Sequence, residues 1–172
     1  EMKSVNLNAA FFALVADFKV LGIGPNGVSV IKKYQDGEAW DEYKRQLNIM
    51  KSFFTYNGLK ETTEKKVTRT SLPAAFIAVE GGDFLEGNIE NIEKAYLDGV
   101  RSIQLVHYAQ NDIGDLQSSS PFFKGLSAFG KESVKKMNQI GMLIDVAHAT
   151  FDTTKAVVEI TDAPIMLSHS IL

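Results

Sequence analysis

Short apolar segments recur along the chain and alternate with longer amphipathic segments. Five of the apolar segments are strand length and lack polar alternation, as expected of strands that are covered on both faces. They are residues 9–16, 74–79, 103–106, 142–147 and 165–167. Strands that alternate with helices predict a parallel α/β sheet with right-handed crossover connections.

The segments between these strands carry apolar residues at helical spacing. The predicted helices cover residues 40–54, 89–96, 134–140 and 152–160. Gly99 and Gly141 follow two of them and suit the left-handed position after a helix. Residues 21–38 and 108–130 show no clear periodicity, so both are predicted to be irregular, the second as a large loop after a strand.

Composition narrows the classes of protein that fit. The 172 residues are 45% hydrophobic and 23% charged, which is typical of one globular domain, here residues 1–172. A net charge of −3 provides no broad basic field for nucleic acid. The absence of cysteine excludes a disulfide scaffold and thiolate chemistry. No apolar segment is long enough to predict a membrane span.

Polar residues follow four of the predicted strands directly. His107, His148 and His169 are the only histidines, and each comes at the C-terminal end of an apolar segment. Glu80 ends a fourth segment and is followed by two glycines. Five strands fit either an open flavodoxin-like sheet or part of a (β/α)₈ barrel, whose active-site residues come from the C-terminal ends of several strands. The strand-end positions favour the partial barrel.

The residue types at these strand ends suit metal chemistry. Two imidazoles and a carboxylate are a common ligand set for catalytic zinc, which lowers the pKa of a bound water. The carboxylate of Glu80 could also bridge two metal ions. An acid–base site without metal remains an alternative, as do buried polar residues satisfied by backbone. Asp145, three residues before His148, is predicted to be either a polar residue of the barrel interior or a partner of the ligands.

Five segments resemble, in the same order, motifs of the membrane (renal) dipeptidase family, zinc dipeptidases on a (β/α)₈ barrel. They are residues 80–82, 99–107, 125–130, 137–148 and 163–170. The resemblance runs from about Leu72 to Ser170. Residues 1–70 fit this family only in outline, as a strand, a loop and a long helix.

The resemblance implies a site with two zinc ions and a dipeptide substrate. Glu80 would bridge both metals, and His148 and His169 would complete the ligands of one. His107 would bind the substrate and polarise its scissile carbonyl or stabilise the oxyanion. A metal-bridging hydroxide would attack the peptide carbonyl.

Three expected features of that family are not found in the sequence. The H-x-D motif that holds its other metal is absent, and its substrate-binding arginine and proton-transferring aspartate would lie beyond Leu172. The chain is therefore predicted to be the central portion of such a barrel, with little activity alone, paired with the remainder of the barrel or as a homodimer. A non-catalytic binding protein of the same fold and a metal-dependent barrel hydrolase of cyclic amides are the alternatives.

Overall fold

A computed structural model describes residues 2, 4–25, 27–64, 66–67 and 73–170. The strands are β1 (Ala9–Val15), β2 (Leu21–Gly24), β3 (Gly27–Val30), β4 (Lys60–Glu61), β5 (Ala74–Glu80), β6 (Val100–Gln104) and β7 (Leu143–Asp145). The helices are α1 (Glu38–Tyr56), α2 (Glu90–Leu97), α3 (Ala128–Ile140) and α4 (Phe151–Ile160). Within these described residues, no helix is both long and apolar enough to cross a membrane.

The main sheet is parallel, as predicted. Its strands follow the order β1-β5-β6-β7, and β4 pairs with the start of β5. Met166 forms an isolated parallel bridge with Asp145, so the chain after α4 continues the same order. Because the strands are parallel, their C-terminal ends lie along one edge of the sheet.

The strand register places polar residues in one row across the sheet. Val15 pairs with Glu80, Glu80 with Gln104, and Gln104 with Asp145. Paired residues share a face of the sheet, and the preceding row points the other way. That preceding row contains Val79, Ile103 and Ile144, which are buried in the hydrophobic core together with residues of the helices. The polar row therefore faces the inside of the partial barrel.

Three predicted strands differ from the observed ones. The third predicted strand, 103–106, is observed as β6, which begins three residues earlier and ends two residues earlier. Its polar residues Arg101 and Ser102 hide the start of the strand from an apolar pattern. The fourth predicted strand, 142–147, is observed only as β7, Leu143–Asp145. The fifth predicted strand, 165–167, contributes only the bridge at Met166. The left-handed glycines are confirmed, with φ of 104° at Gly99 and 76° at Gly141.

The prediction of an irregular segment at 21–38 is wrong for its first half. Strands β2 and β3 form an antiparallel hairpin there, with Leu21 paired to Val30 and Gly24 to Gly27. Glycines at both ends of a short connection are a hairpin signal. Ile23 is 91% exposed and Val30 is 47% exposed. The hairpin therefore has no buried face, and the sequence lacks the apolar pattern by which a buried strand is recognised.

The long loop after β6 is irregular, as predicted, and is organised by one buried carboxylate. Asp115 accepts hydrogen bonds from the backbone N–H groups of Phe122, Phe123 and Gly125. The same loop reaches the next strand end, where the N–H of Gln117 donates to the carbonyl oxygen of His148 over 2.8 Å. The loop therefore supports the backbone beside a predicted site residue.

Candidate active site

The four polar residues predicted from the strand ends lie together at the C-terminal edge of the sheet. The ring centroids of His107 and His148 are 4.7 Å apart, and those of His148 and His169 are 4.9 Å apart. The Oε2 atom of Glu80 lies 3.9 Å from the Nε2 atom of His107. The side chains thus form one continuous cluster, as the partial barrel predicts, although their individual roles remain predictions.

His148 and His169 face each other through the same ring atom. Their Nε2 atoms are 2.9 Å apart, and the hydroxyl of Ser168 lies 2.9 Å from the Nδ1 atom of His169. The backbone of His148 is left-handed, with φ of 63°. Such a conformation is uncommon outside glycine and is found most often at turns and functional sites. It turns the chain out of β7, so strand alternation does not predict where this ring points.

Asp145 connects the chain segments that carry these two histidines. Its side chain is 4% exposed. Its Oδ1 atom accepts hydrogen bonds from the backbone N–H of Ala147, over 3.0 Å, and of Ser168, over 3.1 Å. Each donor immediately precedes a histidine in the sequence. Asp145 therefore lies in the inward-facing row and also supports the backbone segments that carry His148 and His169, whose predicted role as ligands stays a prediction.

The two glycines after Glu80 allow the chain to pass close to the site. Gly81 has φ of 88°, and a Cβ atom there would lie 2.7 Å from Oδ2 of Asp83. A Cβ atom at Gly82 would meet the side chain of Ile113 and would lie 3.0 Å from the backbone carbonyl oxygen of Leu105. A side chain at either position would displace these neighbours, so the double glycine has a steric basis.

His107 is held by a residue that the sequence analysis missed. Asp17 is fully buried, and its Oδ1 atom lies 2.8 Å from Nδ1 of His107. Its Oδ2 atom accepts hydrogen bonds from the backbone N–H groups of Tyr108 and Ala109. Asp17 directly follows the first apolar segment. The rule that selected the histidines, a polar residue at the end of a strand, would also have selected Asp17.

Charges around His107 oppose the effect of its burial. Burial lowers the pKa of His107, but the neighbouring Asp17, Glu80 and Asp83 outweigh it and raise the pKa above its usual value. For Asp17, burial raises the pKa, and the hydrogen bonds from His107 and the backbone then bring it below its usual value. Burial and the charge of Asp17 raise the pKa of Asp83 to about 7. His107 therefore holds a positive charge more readily than a buried histidine without acidic neighbours would.

A cavity of about 410 Å³ is lined by His148 and His169 themselves. A second cavity, of about 660 Å³, lies beside Tyr108 and is lined by none of the four cluster residues. Asp83, Tyr108 and Asn111 are among the residues that line it. Tyr108 also packs edge-on against His107, with ring centroids 4.7 Å apart. A cavity of this size is within the range of small-molecule sites in proteins.

Protonation of His148 is disfavoured in the folded chain. Burial lowers the pKa of His148 to about 4, and the nearby His107 and His169 rings add to this effect. A neutral imidazole retains the lone pair that a metal ion needs. The environment of His148 therefore keeps a nitrogen lone pair available at neutral pH.

This pKa predicts how the stability of the metal-free protein depends on pH. Between the ordinary pKa of 6.5 and about 4, unfolded His148 binds a proton and folded His148 does not. Its contribution to stability is thus complete above about pH 6.5 and is lost as the pH falls towards 4. We expect the urea midpoint of the complete, metal-free protein to fall across this window, and His148→Gln to weaken that dependence. An unchanged dependence in the variant would assign it to other groups.

The paired histidines suit a metal ion in donor type and in spacing. Two nitrogens bound to one tetrahedral zinc at its usual bond length lie roughly 3.3 Å apart, compared with 2.9 Å between the two Nε2 atoms. Among the described residues, no group of three or more histidine, cysteine, aspartate or glutamate side chains is close enough together to hold one metal ion. Two donors are therefore in place, and a third would have to approach them.

The chain is similar to known dipeptidases in sequence and in structure. Residues 14–172 match the family model described as membrane dipeptidase (peptidase family M19). A curated relative, dipeptidase verJ from Clonostachys rogersoniana, is 39% identical over 116 residues, which are 66% of this chain and 30% of that protein.

Two solved structures show the same fold. The probable dipeptidase PvdM from Pseudomonas aeruginosa is 20% identical, with a TM-score of 0.76 over 95% of this chain and 43% of that chain. A metallopeptidase from Rhodobacter sphaeroides, liganded with a phosphinate mimic of the dipeptide L-Ala-D-Ala, is 16% identical, with a TM-score of 0.74 over 95% of this chain and 53% of that chain.

These similarities cover only part of each relative. The chain spans 30% of the curated relative and about half of the two solved structures. The structural similarity confirms the predicted partial (β/α)₈ barrel, and the family model covers far more than half of the chain. The chain belongs to the membrane dipeptidase family, peptidase family M19.

Proposed function

We propose that the complete protein hydrolyses dipeptides at a zinc site to which Glu80, His148 and His169 contribute. The observation that carries this proposal is the continuous cluster of Glu80 and the three histidines at the C-terminal ends of parallel strands. Active sites of (β/α)₈ barrels are built at this edge. Membership of a metallopeptidase family supports the same chemistry.

Each residue has a role that follows from its position. His148 and His169 would bind the metal through their facing Nε2 atoms, and Glu80 would bind it through a carboxylate oxygen. Bound zinc supplies Lewis acidity and lowers the pKa of a water molecule. His107 would orient the substrate and stabilise the negative charge that develops on its carbonyl oxygen, a role suited to a residue whose pKa is raised.

The relatives agree with this choice of substrate. The Clonostachys relative is described as a dipeptidase, and the Rhodobacter structure holds a dipeptide mimic. The cavity of about 410 Å³ that is lined by His148 and His169 offers space for a small ligand in the proposed site. A substrate as short as a dipeptide fits a site within one barrel rather than an extended groove.

A substrate panel tests the proposal. The complete protein is stripped of metal with a chelator, reloaded with zinc, and assayed against dipeptides and cyclic amides. We expect hydrolysis of dipeptides that is lost on stripping and regained with zinc. Hydrolysis of cyclic amides alone would indicate a different barrel hydrolase, and zinc binding without any hydrolysis would indicate a non-catalytic member of the family.

A further inference from the structure

We propose that Asp17 is a positioning residue that acts on the reaction through His107. It holds the ring so that the Nδ1–H group donates to its carboxylate and the Nε2 atom faces the site. This inference rests on the proposed function for its effect on catalysis. The hydrogen-bond geometry that supports it stands independently of that function.

Both carboxylate oxygens of Asp17 are used on the segment that carries His107. One oxygen lies 2.8 Å from Nδ1 of the ring, and the other accepts the N–H groups of Tyr108 and Ala109 over 3.0 and 2.9 Å. The carboxylate therefore fixes the backbone immediately after His107 and the ring itself. Since Asp17 is fully buried, water does not compete for these bonds.

The carboxylate also requires a hydrogen on Nδ1 of the ring. Its pKa lies below the usual value, so it is ionised and can only accept hydrogen bonds. Nδ1 of His107 must therefore donate, and Nε2 is the nitrogen left on the side of Glu80, 3.9 Å from its Oε2. A carboxylate that orients a functional histidine in this way commonly changes activity when it is replaced.

A purely structural role for Asp17 makes different predictions. In that case the carboxylate would only connect the end of β1 to the chain after β6. The hydrogen on Nδ1 of His107 would then have no effect on the reaction. Asp17→Asn separates the two cases because the amide has one accepting oxygen. If that oxygen keeps the N–H groups of Tyr108 and Ala109, the amide NH₂ faces Nδ1, which must then accept. Nδ1 therefore loses its hydrogen, and the ring can no longer carry a positive charge.

The first test reads the ring directly by ¹⁵N NMR of histidine-labelled, metal-free complete protein. We expect hydrogen on Nδ1 of His107 in the wild type and loss of the Nδ1 hydrogen in Asp17→Asn. The matched control is Asp115→Asn, which alters another buried aspartate that accepts only backbone N–H groups. The control should lose stability and leave the His107 signals unchanged. Identical His107 signals in folded Asp17→Asn and wild type would overturn the proposal.

The second test measures kinetics and zinc content in a double-mutant cycle with His107→Ala. Asp17→Asn should lower kcat by roughly 10- to 100-fold with little change in KM, retain zinc, and cause no further loss when His107 is already alanine. An equal loss in both backgrounds would overturn the proposal. A wild-type protein that hydrolyses no dipeptide would instead refute the proposed function, and the NMR result would still decide whether Asp17 positions His107.

Discussion

His148→Ala and His169→Ala are each expected to abolish tight zinc binding and to lower kcat/KM by more than about 100-fold. Replacing a residue that merely supports a metal ligand commonly costs 10- to 100-fold, so removing a ligand should cost more. The two Nε2 atoms face each other over 2.9 Å, and neither can take the place of the other. Each single variant should therefore resemble the double variant.

His107→Ala should behave differently from both. Its ring contacts His148 but is held by Asp17 through Nδ1, and its proposed partner is the substrate carbonyl. We expect full zinc content with kcat lowered by about 100- to 1000-fold, the usual cost of removing one group that stabilises an oxyanion. The variant therefore serves as the matched control for the two ligand variants.

Elemental analysis beside steady-state kinetics checks these expectations on the complete protein. Zinc content should divide the variants into two classes, low for His148→Ala and His169→Ala and unchanged for His107→Ala. Loss of zinc in His107→Ala would make His107 a ligand rather than a substrate-binding residue. Retention of zinc in either of the other two variants would remove that residue from the proposed metal site.

Uninterrupted apolar segments made the sheet predictable. The segments at 9–16 and 74–79 match β1 and β5 to within one residue at each end. Strand β1 is apolar throughout, and β5 is apolar except for its last residue, Glu80. Strand β6 was misplaced because three of its five residues, Arg101, Ser102 and Gln104, are polar. Gln104 belongs to the inward-facing row, where a barrel interior accepts polar side chains that an apolar pattern does not reveal.

The strand-end rule found four residues of the cluster but not the contacts that hold them. Asp17 lies 90 residues before His107 in sequence, and no local pattern indicates that they pair. The left-handed backbone of His148 is equally hidden, since its supporting bond from Gln117 comes from the long loop. The residues at the strand ends could be predicted from the sequence because the strands could. The hydrogen bonds that orient these residues join distant parts of the chain, so they could be identified only in the structure.

Asp145→Ala is expected to weaken both the fold and the metal site, although Asp145 is not itself proposed to bind metal. Its Oδ1 atom accepts the backbone N–H groups of Ala147 and Ser168, and alanine would leave both without this acceptor. The loss should cost about 2–4 kcal/mol in the free energy of unfolding. Because His148 and His169 directly follow these amides, zinc affinity should also fall by roughly 10- to 100-fold.

Asp145→Asn separates the loss of the acceptor from the loss of the negative charge. The amide oxygen can still accept both N–H groups, so most of the stability and zinc affinity should return relative to Asp145→Ala. Urea unfolding of the metal-free protein measures the first quantity, and titration with zinc against a competing chelator measures the second. If Asp145→Asn binds zinc as poorly as Asp145→Ala while regaining stability, the charge of Asp145 acts on the metal. In that case the effect of Asp145 on zinc affinity would not come from its hydrogen bonds to Ala147 and Ser168.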